Sequence, residues 1–220
     1  MNPMTIGRII LTAVLLLFNV SLFSVPMGII KSIPRDVIKK MQRYTWRPGC
    51  PVAISNLRYL RLPYWGFDHK THQGVLIINA KLAQQVETIF IALYQHHFPI
   101  ERMQPMYLFK GNDELAMEHN NTSSFNCRPV AGRTSGFSQH AYGTAIDINT
   151  RINPYIKDKV LLPKNAQAYV NRSVLRAGMI RKDTYIYHLF MHYNWQWGGD
   201  WHSLKDYQHF QKPLPEYNKG

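Results

Sequence analysis

The sequence predicts a mixed α+β domain over residues 50–213. Three observations carry this. Short alternating apolar runs recur with turn residues between them, apolar residues fall at helical spacing in three stretches, and the two kinds of segment do not alternate regularly enough for a parallel βαβ sheet. In "PVAISNLRYLRLPYWGF", residues 51–67, Pro63 and Gly66 interrupt the alternation, so strands and turns are expected. "GVLIIN", 74–79, reads as a strand. Directly after it, Leu82, Val86, Ile89, Phe90 and Leu93 share one helical face, which predicts an amphipathic helix over 80–96 packed on a sheet. "MYLFK" (106–110), "SSFNCRPV" (123–130) and "TAIDIN" (144–149) read as further strands. Residues 165–178, closing at Gly178, and 183–193 have helical spacing. No internal repeat and no low-complexity tract is present.

Composition bounds the function. With 220 residues, 45% of them hydrophobic and 18% charged, the chain can bury a real core, which excludes a disordered tail protein. The net charge of +13 implies attraction to a polyanion: nucleic acid, an anionic membrane surface or an acidic wall polymer. Charge alone does not choose among them.

The N-terminus narrows the choice. Arg8 precedes an uncharged apolar run over 9–25, so residues 1–25 are expected to be a signal peptide or a membrane anchor. No small-x-small cleavage site stands out, and Lys31, Arg35, Lys39, Lys40 and Arg43 follow the run, so both remain open. Residues 26–49 read as a basic connecting arm and 214–220 as a tail. An exported chain tolerates a disulfide, and Cys50 and Cys127 either pair or remain two buried thiols.

The chemistry concentrates in "GFSQHAYGTAIDINT", residues 136–150. On a strand Asp147 points opposite to Ile146 and Ile148, whose side chains belong in a core. A carboxylate so placed needs a partner, because burying a lone charge costs several kcal/mol. His140 can be that partner, and by itself this segment fits a structural pair before a metal site. A second segment, "WQWGGDWHSLKDYQHFQ", adds Asp206 and His209 in D-x-x-H spacing on a loop running into a strand. Catalytic zinc takes three protein ligands and leaves one position open, and His140, Asp147 and His209 form such a set. A further carboxylate, Asp206, then serves as proton acceptor and donor. In "FNCRP" the alternation places Phe125 and Cys127 on one face and Asn126 and Arg128 on the other, so a buried Cys127 turns Arg128 toward the cleft.

"SQHAYGTAIDI" fits S-x-H-x-x-G-x-A-x-D, and with "WGGDW" and "DYQHF" it resembles the VanY-like zinc peptidases, the D-alanyl-D-alanine carboxypeptidases and L-alanyl-D-glutamate endopeptidases. "CPVAISNLRYL", "FPIERM", "NNTSSFNCR" and "INPY" resemble other segments of that family, so the likeness spans roughly 45–212. The resemblance implies a hedgehog-like fold, a small antiparallel sheet flanked by helices. It also implies one zinc ion on His140, Asp147 and His209, Asp206 as general base, and Arg128 on a substrate carboxylate or the developing oxyanion. Ser138 is a further substrate-binding candidate. Many family members have Glu where this chain has Asp206, and the shorter side chain places the base differently. The implied substrate is the peptidoglycan stem peptide, with the anionic cell wall as surroundings, an exported location in the periplasm or envelope, and membrane contact if the N-terminal segment is uncleaved. The motifs fit both a carboxypeptidase and an endopeptidase of this kind. An alternative is a zinc-containing wall-binding module without turnover. A nucleic-acid partner is not expected, since no nucleic-acid motif accompanies the charge.

Overall fold

The computed structural model describes residues 27–130 and 136–217. The segment expected as signal peptide or anchor, 1–25, lies outside them, and among the described residues no helix is long and apolar enough to cross a membrane. The chain opens with β1 (Ile29–Lys31) and α1 (Arg35–Tyr44), followed by a long hairpin of β2 (Leu57–Trp65) and β3 (Thr71–Asn79). The three strands form an antiparallel sheet in the order β1-β2-β3. Alternation gives this sheet two apolar faces. Leu60, Leu62, Leu76 and Ile78 point one way, while Leu57 and Ile77 point the other. Helix α2 (Ala83–Gln95) covers the first face with Val86, Ile89, Phe90 and Leu93. Helix α1 covers the second with Val37 and Met41. Pro63 is tolerated within β2 because β1 pairs only with Tyr59–Arg61, leaving Pro63 beyond its reach.

This corrects the expectation of a connecting arm at 26–49. The segment supplies an edge strand and a core helix, and its basic residues Lys31, Arg35, Lys39, Lys40 and Arg43 occupy the exposed side while Val37 and Met41 are buried. Charge density hid an amphipathic pattern. The expected tail is also partly docked: Lys81 pairs with Glu216 at 2.6 Å, and Tyr217 packs on Tyr142 with ring centroids 4.8 Å apart.

Next come β4 (Arg102–Met103), α3 (Asp113–Glu118) and β5 (Asn121–Thr122), with β4 and β5 paired in parallel. "MYLFK" is a 3-10 turn over Met106–Phe109, not a strand. Met106, Tyr107 and Phe109 are all buried, which strict alternation cannot achieve for adjacent residues. "SSFNCRPV" is extended but forms no ladder, because its backbone donors go to different elements: Phe125 to Ile77, Asn126 to His140 and Cys127 to Thr45. Cys50 and Cys127 are joined in a disulfide.

The C-terminal half holds β6 (Ala145–Asp147), β7 (Tyr155–Lys157), β8 (Val160–Leu162), α4 (Tyr185–His192), β9 (Gln196–Trp197), β10 (Lys205–Asp206) and β11 (His209–Gln211). They make two small antiparallel sheets, β6-β11-β9 and β10-β7-β8. The helix expected over 165–178 shrinks to a 3-10 segment, Lys164–Tyr169. Asn171 Oδ1 accepts from both the backbone and the hydroxyl of Ser173, a local turn that competes with helix, and Val174 and Leu175 remain exposed. The fold is α+β, with several small sheets instead of one. Ile146, Ile148, Trp197 and Phe210 extend the core under α2 and α4, and Phe210 stacks on Phe190 at 3.9 Å.

Candidate metal centre

The pairing of β6 with β11 builds the site. Phe210 lies opposite Ile146, both fully buried in the core. Their neighbours in the same register, Asp147 and His209, therefore sit side by side on the other face. His140 arrives from a 3-10 turn, Gln139–Tyr142. Ser138 caps that turn, its hydroxyl oxygen accepting from the His140 backbone N–H, and Gly143 closes it in the left-handed region at φ 68. A Cβ on Gly143 would come within 2.8 Å of the Asn79 nitrogen, so glycine lets the turn dock against the end of β3. A direct substrate contact by Ser138 remains a sequence expectation; the position the fold gives this residue is that of a cap holding the His140 turn.

Hydrogen bonds decide which ring nitrogens face inward. His140 Nδ1 lies 2.5 Å from the carbonyl of Ser124, which only accepts, so Nδ1 carries the proton and Nε2 presents its lone pair. His209 Nε2 lies 3.1 Å from Gln211 Oε1, whose amide is oriented by donating to Gln196 at 2.9 Å. The proton is therefore on Nε2, and Nδ1 faces the site. His140 Nε2 is 3.1 Å and His209 Nδ1 2.9 Å from separate oxygens of Asp147, and the two nitrogens stand 3.2 Å apart. All three side chains are largely buried. Two lone pairs and a carboxylate converging at such distances repel one another unless a positive charge sits among them. This donor set fits a metal ion, since all its ligand atoms lie within 4.8 Å of each other.

The electrostatics follow the same logic. Burial works to raise the Asp147 pKa, but His140 and His209 outweigh it and hold the carboxyl well below the usual range. For His209, burial disfavours the charged ring, yet Asp147 and Asp206 raise its pKa above the ordinary value, so a proton can stand in for the metal.

Asp206 adjoins this cluster at the end of β10, where it pairs across the strands with Tyr155. Burial pushes its pKa up to about 6, a rise opposed by the nearby charges of His209, His140 and Arg128. Its Oδ1 is buried without a hydrogen-bond partner. Gly198 explains its position, because a Cβ there would stand 2.5 Å from the Asp206 carbonyl oxygen and 2.8 Å from its Cβ. Trp197 Nε1 donates to the Tyr207 carbonyl at 2.9 Å, and Lys205 Nζ donates to the carbonyls of Gly199 and Trp201. "WGGDW" thus clamps the loop that carries Asp206.

Residues 131–212 match the D-alanyl-D-alanine carboxypeptidase family. The family resemblance read from the motifs holds for this segment, which contains His140, Asp147, Asp206 and His209. No curated protein and no solved structure matches the chain. Arg128 lies just outside the matched residues. The disulfide at Cys127 and the hydrogen bond from Asn126 to Asp113 hold the backbone around it, and its guanidinium pairs with Asp113 through Nε.

Several contributors were not anticipated. Gln211 lies two residues beyond His209 on the same strand face, so period-two reasoning could have found it. Ser124 acts through its backbone carbonyl, which leaves no trace in residue identity. Trp201, whose ring lies 5.5 Å from that of His209, and Asp113 are joined to the site only by tertiary folding.

Proposed function

We propose that the chain is a zinc-dependent peptidase that hydrolyses peptidoglycan stem peptides, removing the terminal D-alanine of a D-Ala-D-Ala end. The observation that carries the reading is the convergence of His140 Nε2, His209 Nδ1 and the Asp147 carboxylate beside a buried, unpartnered Asp206 oxygen. Zinc ligand atoms at about 2.0–2.2 Å in a tetrahedron stand roughly 3.3 Å apart, close to the 2.9–3.2 Å separations of these donors. A zinc ion held there supplies Lewis acidity toward water and toward the carbonyl under attack.

The protein's own groups do the rest. Asp206, with its pKa raised to about 6, is ionised at neutral pH yet basic enough to accept a proton from the attacking water. It then passes that proton to the departing amine. Its burial keeps bulk water from competing. Arg128 offers a cation to the substrate carboxylate or to charge developing at the carbonyl. The carboxylate at a D-Ala-D-Ala terminus is the kind of group such a guanidinium recognises. Ser138, through its cap, keeps Nε2 of His140 aimed at the metal.

Location outside the cytoplasm is part of the same reading. It is supported by the Cys50–Cys127 disulfide, which persists in oxidising compartments, by the apolar run at 9–25, and by the net charge of +13, which favours encounter with an anionic wall. The test is mass spectrometry of purified stem pentapeptides after incubation with zinc-loaded protein. Loss of one D-alanine supports the carboxypeptidase reading, and cleavage inside the stem supports an endopeptidase instead. No product from any stem peptide, with zinc bound, supports a wall-binding module.

A further inference from the structure

Asp113 is a carboxylate that neither the motifs nor the mechanism uses. It begins α3, whose cap is the preceding Asn112, with its side chain accepting from the Leu115 N–H at 3.0 Å. Both of its oxygens are engaged. Oδ1 accepts from Asn126 Nδ2 at 2.9 Å, and Oδ2 makes an ion-pair contact with Nε of Arg128, whose N–H is not aligned for a hydrogen bond. Asn126 in turn donates to the Gly111 carbonyl at 3.1 Å, which ties the same loop from the other side. Gly111 must be glycine there, since it has φ 74 and a Cβ would stand 2.5 Å from the Tyr44 carbonyl oxygen. Asp113 is thus fixed by its loop, and the flexible partner in the pair is Arg128.

Among the described residues Arg128 is otherwise weakly held. Its Nη1 makes only a long contact, 3.4 Å, to the carbonyl of Pro129, and among the described residues Nη2 has no hydrogen-bond partner. A free arginine side chain has many rotamers to lose on being fixed. A carboxylate on the Nε edge removes much of that freedom and leaves the terminal nitrogens for another anion. The pair is about two-thirds buried, with side-chain exposures of 30% and 33%, so it is screened less than a surface bridge. The Arg128 carbonyl accepts from the Ser138 N–H at 3.1 Å, which sets the residue beside the turn that carries His140.

We propose that Asp113 is the positioning residue of Arg128: it holds the guanidinium by its Nε edge so that the terminal nitrogens face the substrate anion. The role rests on the peptidase reading. Asp113 touches neither metal nor substrate, so its effect must pass through Arg128.

The experiment is a double-mutant cycle on the zinc-loaded full chain, with hydrolysis of a stem pentapeptide as readout. D113N lowers kcat/KM roughly 10- to 100-fold, as expected for a misoriented binding group, with zinc content unchanged. R128A lowers it at least as far, and D113N/R128A matches R128A alone. D113E, which keeps the carboxylate, recovers part of the loss. Additive losses, with the double variant well below R128A, overturn the proposal, because they mean that Asp113 acts through the fold. So does D113N at wild-type activity. Should D113N fold poorly, D113E and D113E/R128A complete the same cycle, and coupling between them decides as before. A wild type that binds zinc and cleaves nothing instead removes the peptidase reading, and the positioning role with it.

Discussion

His140 Nε2 and His209 Nδ1 face each other at 3.2 Å, and each is bonded to a different oxygen of Asp147. Such an arrangement is held together by a cation. A proton on His209 can supply that charge, and in the proposed peptidase a zinc ion replaces it. Titration calorimetry should find one zinc per chain, with proton release on binding. D147N and H209A should each weaken binding at least about 100-fold, since loss of a group that only orients a ligand already costs about 10- to 100-fold. Saturation at about 100 times Kd should stabilise the fold by about 2.7 kcal/mol. Equal zinc affinity in wild type and H209A would remove the site.

Asp206 should separate binding from turnover. D206N keeps the shape of the side chain and all three ligands, so zinc stoichiometry is retained while kcat falls about 10²- to 10⁴-fold. Loss of zinc together with activity would mean that Asp206 belongs to the metal shell.

The Asp206 carboxyl also links pH to stability. Its pKa is raised from 3.8 to about 6, chiefly by burial, so the native state binds its proton more tightly than the unfolded chain does. The resulting stabilisation is fully present below pH about 4 and is lost as pH rises through about 6. In the metal-free form D206N should therefore match wild type near pH 4 and exceed it at pH 7 by up to roughly 3 kcal/mol, measured by urea unfolding. Carbon NMR of the Asp206 carboxyl should give the same midpoint, and zinc should lower it, since a nearby cation favours the ionised form.

Gly198 is expected to be intolerant. In G198A the new Cβ meets the Asp206 backbone at 2.5 Å and must push β10 away. A displacement on the order of 1 Å costs roughly 100-fold in kcat, with zinc binding kept because His140, Asp147 and His209 lie on other strands and turns. Wild-type kcat in G198A would show that the loop absorbs the change elsewhere.

The disulfide closes a loop spanning a sequence separation of 77 and anchors the residue before Arg128. In the chain-entropy picture its removal costs about 4.5 kcal/mol. C50S/C127S should lose about that much in urea unfolding at neutral pH, and the remaining folded fraction should show a raised KM as Arg128 loses its anchor. An unchanged unfolding midpoint would leave the bond without a stabilising role.

The amino-acid sequence by itself determined the α+β class, the α2 helix on its hairpin, and the pattern that singles out His140, Asp147 and His209, which the fold brings together. These are matters of local pattern. A period of 3.6 or 2 assigns Val86 and Ile89, or Ile146 and Ile148, to a core, and Asp147 is then forced to the opposite face whatever the rest of the chain does. Where two demands competed, the local pattern misled. The basic residues of α1 masked Val37 and Met41, and the helical spacing at 165–178 had no core to cover Val174 and Leu175. Tertiary structure alone decided the remainder: the register that sets His209 beside Asp147, the Ser124 carbonyl that selects the His140 tautomer, the closeness of Gly198 to Asp206, and the grip of Asp113 on Arg128. Those relations join positions far apart in the chain, through backbone groups every residue shares. Side-chain identity carries no record of them until packing brings the segments together.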